Sequence, residues 1–191
     1  MTKHSFLILH GLGGSGDEHW QTWLANELMK RNYHVRYPTF SNFHSPEKKV
    51  WLEELAEVIK TIPKTQPLTI ITHSLGCLLW LHYTASQNQR IAKQVILVAP
   101  PSPTRVLEAA KSFFPVPLEK KHLTTAAEET LFVHSSNDPY CRLEDAKNYV
   151  NIGLPALILP NMGHINVDSG HGKWPWILKT SLSNEAIVLT S

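Results

Sequence analysis

The sequence predicts an α/β fold in one domain spanning 1–191: about six mostly parallel strands with helices on both faces. Three observations predict it. Short apolar runs alternate with longer amphipathic segments along the chain. The runs are rich in Ile, Leu and Val with little polar alternation, as in strands buried on both faces of a parallel sheet. The chain has 191 residues, 42% of them hydrophobic, which suits one buried core and argues against disorder.

Taken in order, the strand-like runs are 5–10, 35–39, 68–73, 94–99, 130–135 and 156–159. Ser15 begins the first helical pattern, with Glu18 three residues on as a capping box, and Trp20, Trp23, Leu24 and Leu28 follow on one face. A second starts at Ser45-Pro46, a capping residue followed by proline at the first helical position. Its apolar face is Val50, Trp51, Leu55, Val58 and Ile59. A third follows Ser74 and runs to about Ser86, and further helices fit 105–114, 143–150 and 175–182. Such alternation implies right-handed crossovers over a doubly covered sheet. The one long excursion, 100–129, holds one helix and Pro115-Val116-Pro117. It is too short for a separate cap domain, and reads either as a plain crossover or as a partial wall over a site.

Lys and Arg number 18 against 16 Asp and Glu, a formal charge of +2, too balanced for a nucleic-acid partner. The two cysteines, Cys77 and Cys141, are fewer than a secreted disulfide framework uses, and they read as buried structural thiols. The apolar run Phe6-Leu7-Ile8-Leu9 is too short for a signal-peptide core, and nothing approaches the roughly 20 apolar residues of a membrane span. The expectation is a soluble cytoplasmic protein with no membrane partner.

The sharpest motif is Thr72-His73-Ser74-Leu75-Gly76, set between a predicted strand and a predicted helix. It resembles the G-x-S-x-G nucleophile elbow, whose serine sits on a tight turn that lifts its hydroxyl above the sheet. Small residues are needed two positions either side, because backbone comes close there. Gly76 meets this; Thr72 replaces the first glycine and crowds the turn. The backbone N–H of Leu75, at the helix N-terminus, is a candidate oxyanion donor.

A nucleophilic serine needs a general base, and the base an orienting acid. Asp138 follows the fifth run in Ser136-Asn137-Asp138-Pro139, and His164 follows the sixth in Asn161-Met162-Gly163-His164. The order Ser, Asp, His is that of α/β hydrolases, and all three residues emerge at the C-terminal edge of the sheet. Ser74, Asp138 and His164 are therefore the candidate catalytic residues. Among the eleven histidines, His73 and His134 read as packing, and His171 with Asp168 as loop polarity. No H-E-x-x-H spacing appears, so no metal is expected.

The first run ends in His10-Gly11-Leu12-Gly13-Gly14, which resembles an H-G-x-x-G oxyanion loop. Leu12 is the candidate second donor and Gly13 the fallback. The same loop formally matches the dinucleotide fingerprint as Gly11-x-Gly13-x-x-Gly16. That motif wants an acid about 20 residues on to hold a ribose. The chain offers Tyr37-Pro38-Thr39-Phe40 there, so no cofactor is expected. Arg36 could suit a 2′-phosphate, but a nicotinamide site would leave the Ser–Asp–His order unexplained.

These pieces, with Glu18-His19-Trp20, Trp23, Gly76-Cys77, Ser135, Ile165-Asn166 and Ser169-Gly170-His171-Gly172-Lys173-Trp174-Pro175, cover nearly the whole chain. Together they resemble the small serine hydrolases of the retinoblastoma-binding-protein-nine and YdeN-like family. The resemblance implies a minimal α/β-hydrolase fold without the first two strands of the larger fold, with little or no lid and no large cap domain. It implies a triad of Ser74, Asp138 and His164. The expected reaction is hydrolysis of a small-molecule acyl ester, with a peptidase or thioesterase on the same site, or a binding or regulatory protein with vestigial chemistry, as alternatives. Some members carry an L-x-C-x-E segment linked to retinoblastoma binding. Here Leu75-Gly76-Cys77-Leu78-Leu79 lacks the acidic end, so no such partner is expected. Trp20 and Trp23 read as core, and Trp174-Pro175 as the start of the last helix. Phe40, Phe43, Phe113 and Tyr140 are the candidate substrate-binding residues, with core or surface cover as their other reading.

Overall fold

A computed structural model of the chain describes residues 4–183. Six strands form one sheet: β1 (Ser5–Leu9), β2 (His34–Arg36), β3 (Leu68–His73), β4 (Ala92–Val98), β5 (Ala127–Ser135) and β6 (Ala156–Leu159). Their order across the sheet is β2-β1-β3-β4-β5-β6, and every neighbouring pair is parallel.

Side chains that alternate along the strands feed two separate cores, because successive residues point to opposite faces. Leu7, Leu9, Ile70, Val95, Leu97 and Phe132 face one core. Helices α2 (Lys48–Lys60), α3 (Leu75–Ala85), α4 (Lys120–Ala126) and α5 (Leu143–Val150) close it. Phe6, Ile8, Ile71, Ile96, Val98, Leu131 and Val133 face the other, closed by α1 (Trp20–Lys30) and α6 (Pro175–Leu182). Helix α3 lies under the sheet centre and buries all of Leu75 to Leu81, which is why its sequence shows no polar stripe. Among the described residues, no helix is long and apolar enough to cross a membrane.

The helix starts differ from the sequence reading. The Ser15 hydroxyl donates to Gln21 Oε1 at 2.7 Å, and His19 caps α1 instead by accepting from the Gln21 N–H. Residues 41–45 form a turn in which the Ser45 N–H meets the Asn42 carbonyl, so α2 begins at Lys48 after Glu47. The helix expected over 105–114 is a 3-10 segment, Glu108–Phe113, with a kink at Ala110. Helix α4 was absent from the sequence reading; only Leu123 and Ala126 of it are buried, too few to set a period.

Strand β1 lies between β2 and β3, and the chain turns outward to β2 on one side and resumes with β3 on the other. The carboxyl ends of β1 and β3 thus flank a topological switch point, where open α/β sheets leave a crevice.

Candidate active site

Three carboxyl-end loops meet at that crevice. Ser74 sits between β3 and α3 with φ 52° and ψ −122°, a sparsely populated conformation that turns the chain sharply. The turn requires Gly76: a Cβ there would lie 2.7 Å from both the Leu9 and the His10 carbonyl oxygens. Gly11 is needed as closely, since its Cβ would stand 2.8 Å from the Ser74 Cβ. Thr72 is accommodated because its buried hydroxyl donates to Cys77 Sγ at 3.0 Å. Cys77 Sγ in turn donates to the Val98 carbonyl, and burial pushes its thiol far above the ordinary range, so it stays protonated. Burial raises the Cys141 thiol too, to about 12.

The Ser74 hydroxyl lies 2.8 Å from His164 Nε2. On the far edge of that ring Nδ1 lies 2.9 and 3.0 Å from the two Asp138 carboxylate oxygens. A carboxylate accepts only, so the proton belongs on Nδ1 and leaves Nε2 to accept from serine. The Tyr140 N–H also donates to Asp138 Oδ1, at 2.8 Å. All three side chains are nearly buried.

The His164 loop has little regular structure of its own and is held from outside. His73 Nε2 donates to the His164 carbonyl and Trp20 Nε1 to the Ile165 carbonyl. The His164 N–H donates to Ser169 Oγ, and the Gly163 N–H to Asn137 Oδ1. Ser135 and Ser136 hydroxyls accept from the Met162 and Asn161 N–H groups. His171 Nε2 meets the Met162 carbonyl at 3.1 Å. His73 and His171, read from the sequence as packing and loop polarity, are thus both tied to this loop.

At the glycine loop, His10 Nε2 accepts from the Phe40 N–H, which puts its proton on Nδ1 for donation to the Gly11 carbonyl at 2.7 Å. In a planar trans peptide the next N–H points opposite to that carbonyl, so the Leu12 N–H is turned away from His10. The Gly13 N–H is spent on the Phe43 carbonyl at 2.8 Å, which removes Gly13 as a donor.

Above Ser74 lies a cleft of about 400 Å³. Leu12, Gly14, Gly16 and His19 form one wall, Leu107, Glu108, Ala109 and Tyr140 another, and Asn166, Val167 and Asp168 a third. Residues 107–109 come from the long excursion, which therefore serves as a partial wall. His19 is held down to about 4, first by burial and then by the nearby His164 and His171. Fully buried His73 is pushed well below its ordinary value, again by burial first and by His164 next.

Of the four aromatic residues expected to bind substrate, Tyr140 alone lines this cleft. Phe40 is 1% exposed and stacks on Trp51 at 4.9 Å. Phe113 is fully buried and meets the same indole edge-on at 5.6 Å. Both are core residues packed on Trp51 and stand outside this cleft; Phe40 borders a separate recess beside α2. Phe43 packs under Gly14 and lines a neighbouring recess of about 210 Å³. The sequence reading missed His19, although it lies in the Glu18-His19-Trp20 segment that resembled the family. It also missed Leu107 and Val167, which no spacing marked.

A family model described as serine hydrolase matches residues 6–182. The chain belongs to that family. YdeN of Bacillus subtilis is 25% identical to this serine hydrolase over 184 residues, 92% of each chain. The crystal structure of the B. subtilis ydeN product superposes with a TM-score of 0.78 at 19% identity, covering 93% of this chain and 96% of that one. A YdeN-like protein of Pectobacterium atrosepticum gives 0.76 at 24%, covering 93% and 88%. The fold is that of the α/β hydrolases, with six parallel strands and no large cap among the described residues.

Proposed function

We propose that this serine hydrolase cleaves carboxylic esters of small, uncharged acyl groups through an acyl-enzyme. In this reading His164 Nε2 takes the Ser74 proton as Ser74 Oγ bonds to the acyl carbon. Asp138 keeps the other ring proton on Nδ1 and steadies the imidazolium that forms. The carbonyl π electrons move onto oxygen, where the Leu75 and Leu12 N–H groups stabilise the charge. Collapse expels the alkoxide, which His164 protonates. Water then repeats the sequence: its proton goes to His164, its oxygen bonds to the acyl carbon, and the Ser74–acyl bond breaks as His164 returns the proton to Ser74.

The observation that carries the reading is the serial contact Ser74–His164–Asp138, with the proton forced onto Nδ1. The cleft supports the substrate class. Leu12, Leu107, Ala109 and Val167 offer apolar walls, while Glu108 and Asp168 disfavour an anionic acyl group. The two cysteines, unpaired and buried, fit a cytoplasmic setting, and the reading takes no cofactor, metal or macromolecular partner.

The test is Ser74→Ala. Labelling by a fluorophosphonate probe should vanish, and p-nitrophenyl butanoate turnover should fall on the order of a million-fold, as in another triad enzyme. Near-normal turnover in Ser74→Ala would overturn the assignment. Thioester and amide forms of the same acyl group, run beside the ester, separate an esterase from a thioesterase or a peptidase.

A further inference from the structure

One cleft side chain has no part in the chemistry just described. His19 is 5% exposed, yet its ring lines the cleft that holds Ser74. It stands in a row of imidazoles, 5.0 Å from the His73 ring, which is itself 5.0 Å from the His164 ring. Its Nδ1 faces backward and accepts the Gln21 N–H at 3.1 Å as the cap of α1.

That cap fixes the tautomer. A ring nitrogen that accepts from a backbone N–H cannot hold a proton, so the neutral ring carries its hydrogen on Nε2. Nε2 is the ring nitrogen that the cap leaves over, and His19 lines the cleft. Among the described residues no group accepts from it, and it is not one of the buried polar atoms that lack a partner, so it meets solvent in the cleft. A donor that meets only water in a cleft can exchange that water for an acceptor on an entering substrate.

The geometry points to His19 Nε2–H as a substrate-binding donor that takes a second, neutral oxygen acceptor of the ester, an ether, hydroxyl or carbonyl oxygen a few atoms from the reacting carbon. This rests on the ester-hydrolysis reading above and deepens it. An anionic oxygen fits less well, because Asp168 and Glu108 line the same cleft. Burial keeps the ring neutral through the working pH range, so it recognises an acceptor without bringing a charge. A site that donates to a substrate oxygen discriminates against the analogue lacking it, because that analogue displaces the donor's water and offers no acceptor in return.

The test compares isosteric ester pairs that differ by one oxygen. On the acyl side the pair is p-nitrophenyl methoxyacetate and p-nitrophenyl butanoate. On the alcohol side it is 2-methoxyethyl butanoate and butyl butanoate. Each preference is a ratio of kcat/KM, and dividing the wild-type ratio by the variant ratio cancels intrinsic reactivity. His19→Asn keeps an oxygen in place to cap α1 but has no atom where Nε2 stood. Its preference for the oxygen-bearing ester should fall about tenfold in one arm, and that arm tells which side of the ester the donor meets. His19→Gln reaches the Nε2 position with an amide N–H and should restore part of the preference.

Preference unchanged in both arms overturns the proposal. So does an equal loss on both members of each pair, which would make His19 only a helix cap. If the wild type turns over none of the four esters, the ester reading fails and takes the proposal with it. Turnover with the preference untouched overturns the His19 assignment alone.

Discussion

Three glycines at the crevice differ only in what a methyl group would meet, and that difference separates folding from chemistry. At Gly76 the added carbon would strike two backbone oxygens at 2.7 Å, and backbone in a strand end cannot retreat as a side chain can. At Gly11 it would strike the Ser74 Cβ at 2.8 Å and press the nucleophile out of line. At Gly16 nothing lies within 4 Å. Gly76→Ala should therefore destabilise the fold by about 2–4 kcal/mol, read as a lowered urea midpoint at constant slope. Gly11→Ala should lose ester turnover at least about tenfold with a smaller stability change, because a small misplacement of a reacting atom is enough. Gly16→Ala should match the wild type in both. A wild-type urea midpoint in Gly76→Ala would show that the elbow is looser than its packing indicates.

At the scale of elements, the site depends on how α1 and β3 grip the loop after β6. Trp20 reaches from α1 to the Ile165 carbonyl at 2.7 Å, and His73 from the end of β3 to the His164 carbonyl at 2.9 Å. Trp20→Phe keeps an aromatic ring in the core but leaves the Ile165 carbonyl without its donor, which costs about 1–3 kcal/mol. The loop should loosen, so kcat should fall about tenfold while KM stays within a factor of two. Slower fluorophosphonate labelling of Ser74 should accompany the fall. Equal labelling rates in Trp20→Phe and wild type would show that the loop holds His164 without the indole. This dependence also explains what the sequence made legible. Strands β3 and β6 were bounded correctly because they are short apolar runs cut off by turn residues. The Ser, Asp and His of the site were legible because each follows such a run within five residues. The cleft walls were not, since Leu107, Val167 and His19 arrive from irregular chain whose position only tertiary packing decides. Phe40 and Phe113 misled for a related reason: an aromatic residue near a site looks the same in sequence whether it turns to the cleft or to Trp51.

For the whole molecule, several imidazoles are largely shielded from water, and this ties stability to pH. His19 and His134 are held down to about 4 and His73 well below its ordinary value, in each case by burial first. Unfolded, all three would take up protons near pH 6.5. Between about pH 4 and 6.5 the unfolded chain therefore binds more protons than the folded one, and stability rises with pH across that window. The contribution is complete above pH 6.5 and is lost on acidification, on the order of 1–2 kcal/mol for each of His19 and His134 between pH 7 and pH 5. His134 takes no part in the Ser74–His164–Asp138 contacts, although the nearby Asp138 carboxylate opposes part of the effect of burial on it. Its ring stacks on Phe132 and packs against Tyr149, and both buried ring nitrogens lack a partner among the described residues. His134→Leu removes a group that must charge on unfolding and puts apolar surface in its place. Its urea midpoint should fall less than that of the wild type between pH 7 and pH 5, with a shallower slope of stability against pH. Parallel pH dependences for the two proteins would mean that the buried imidazole at position 134 does not resist protonation, and that the acid sensitivity arises from other groups.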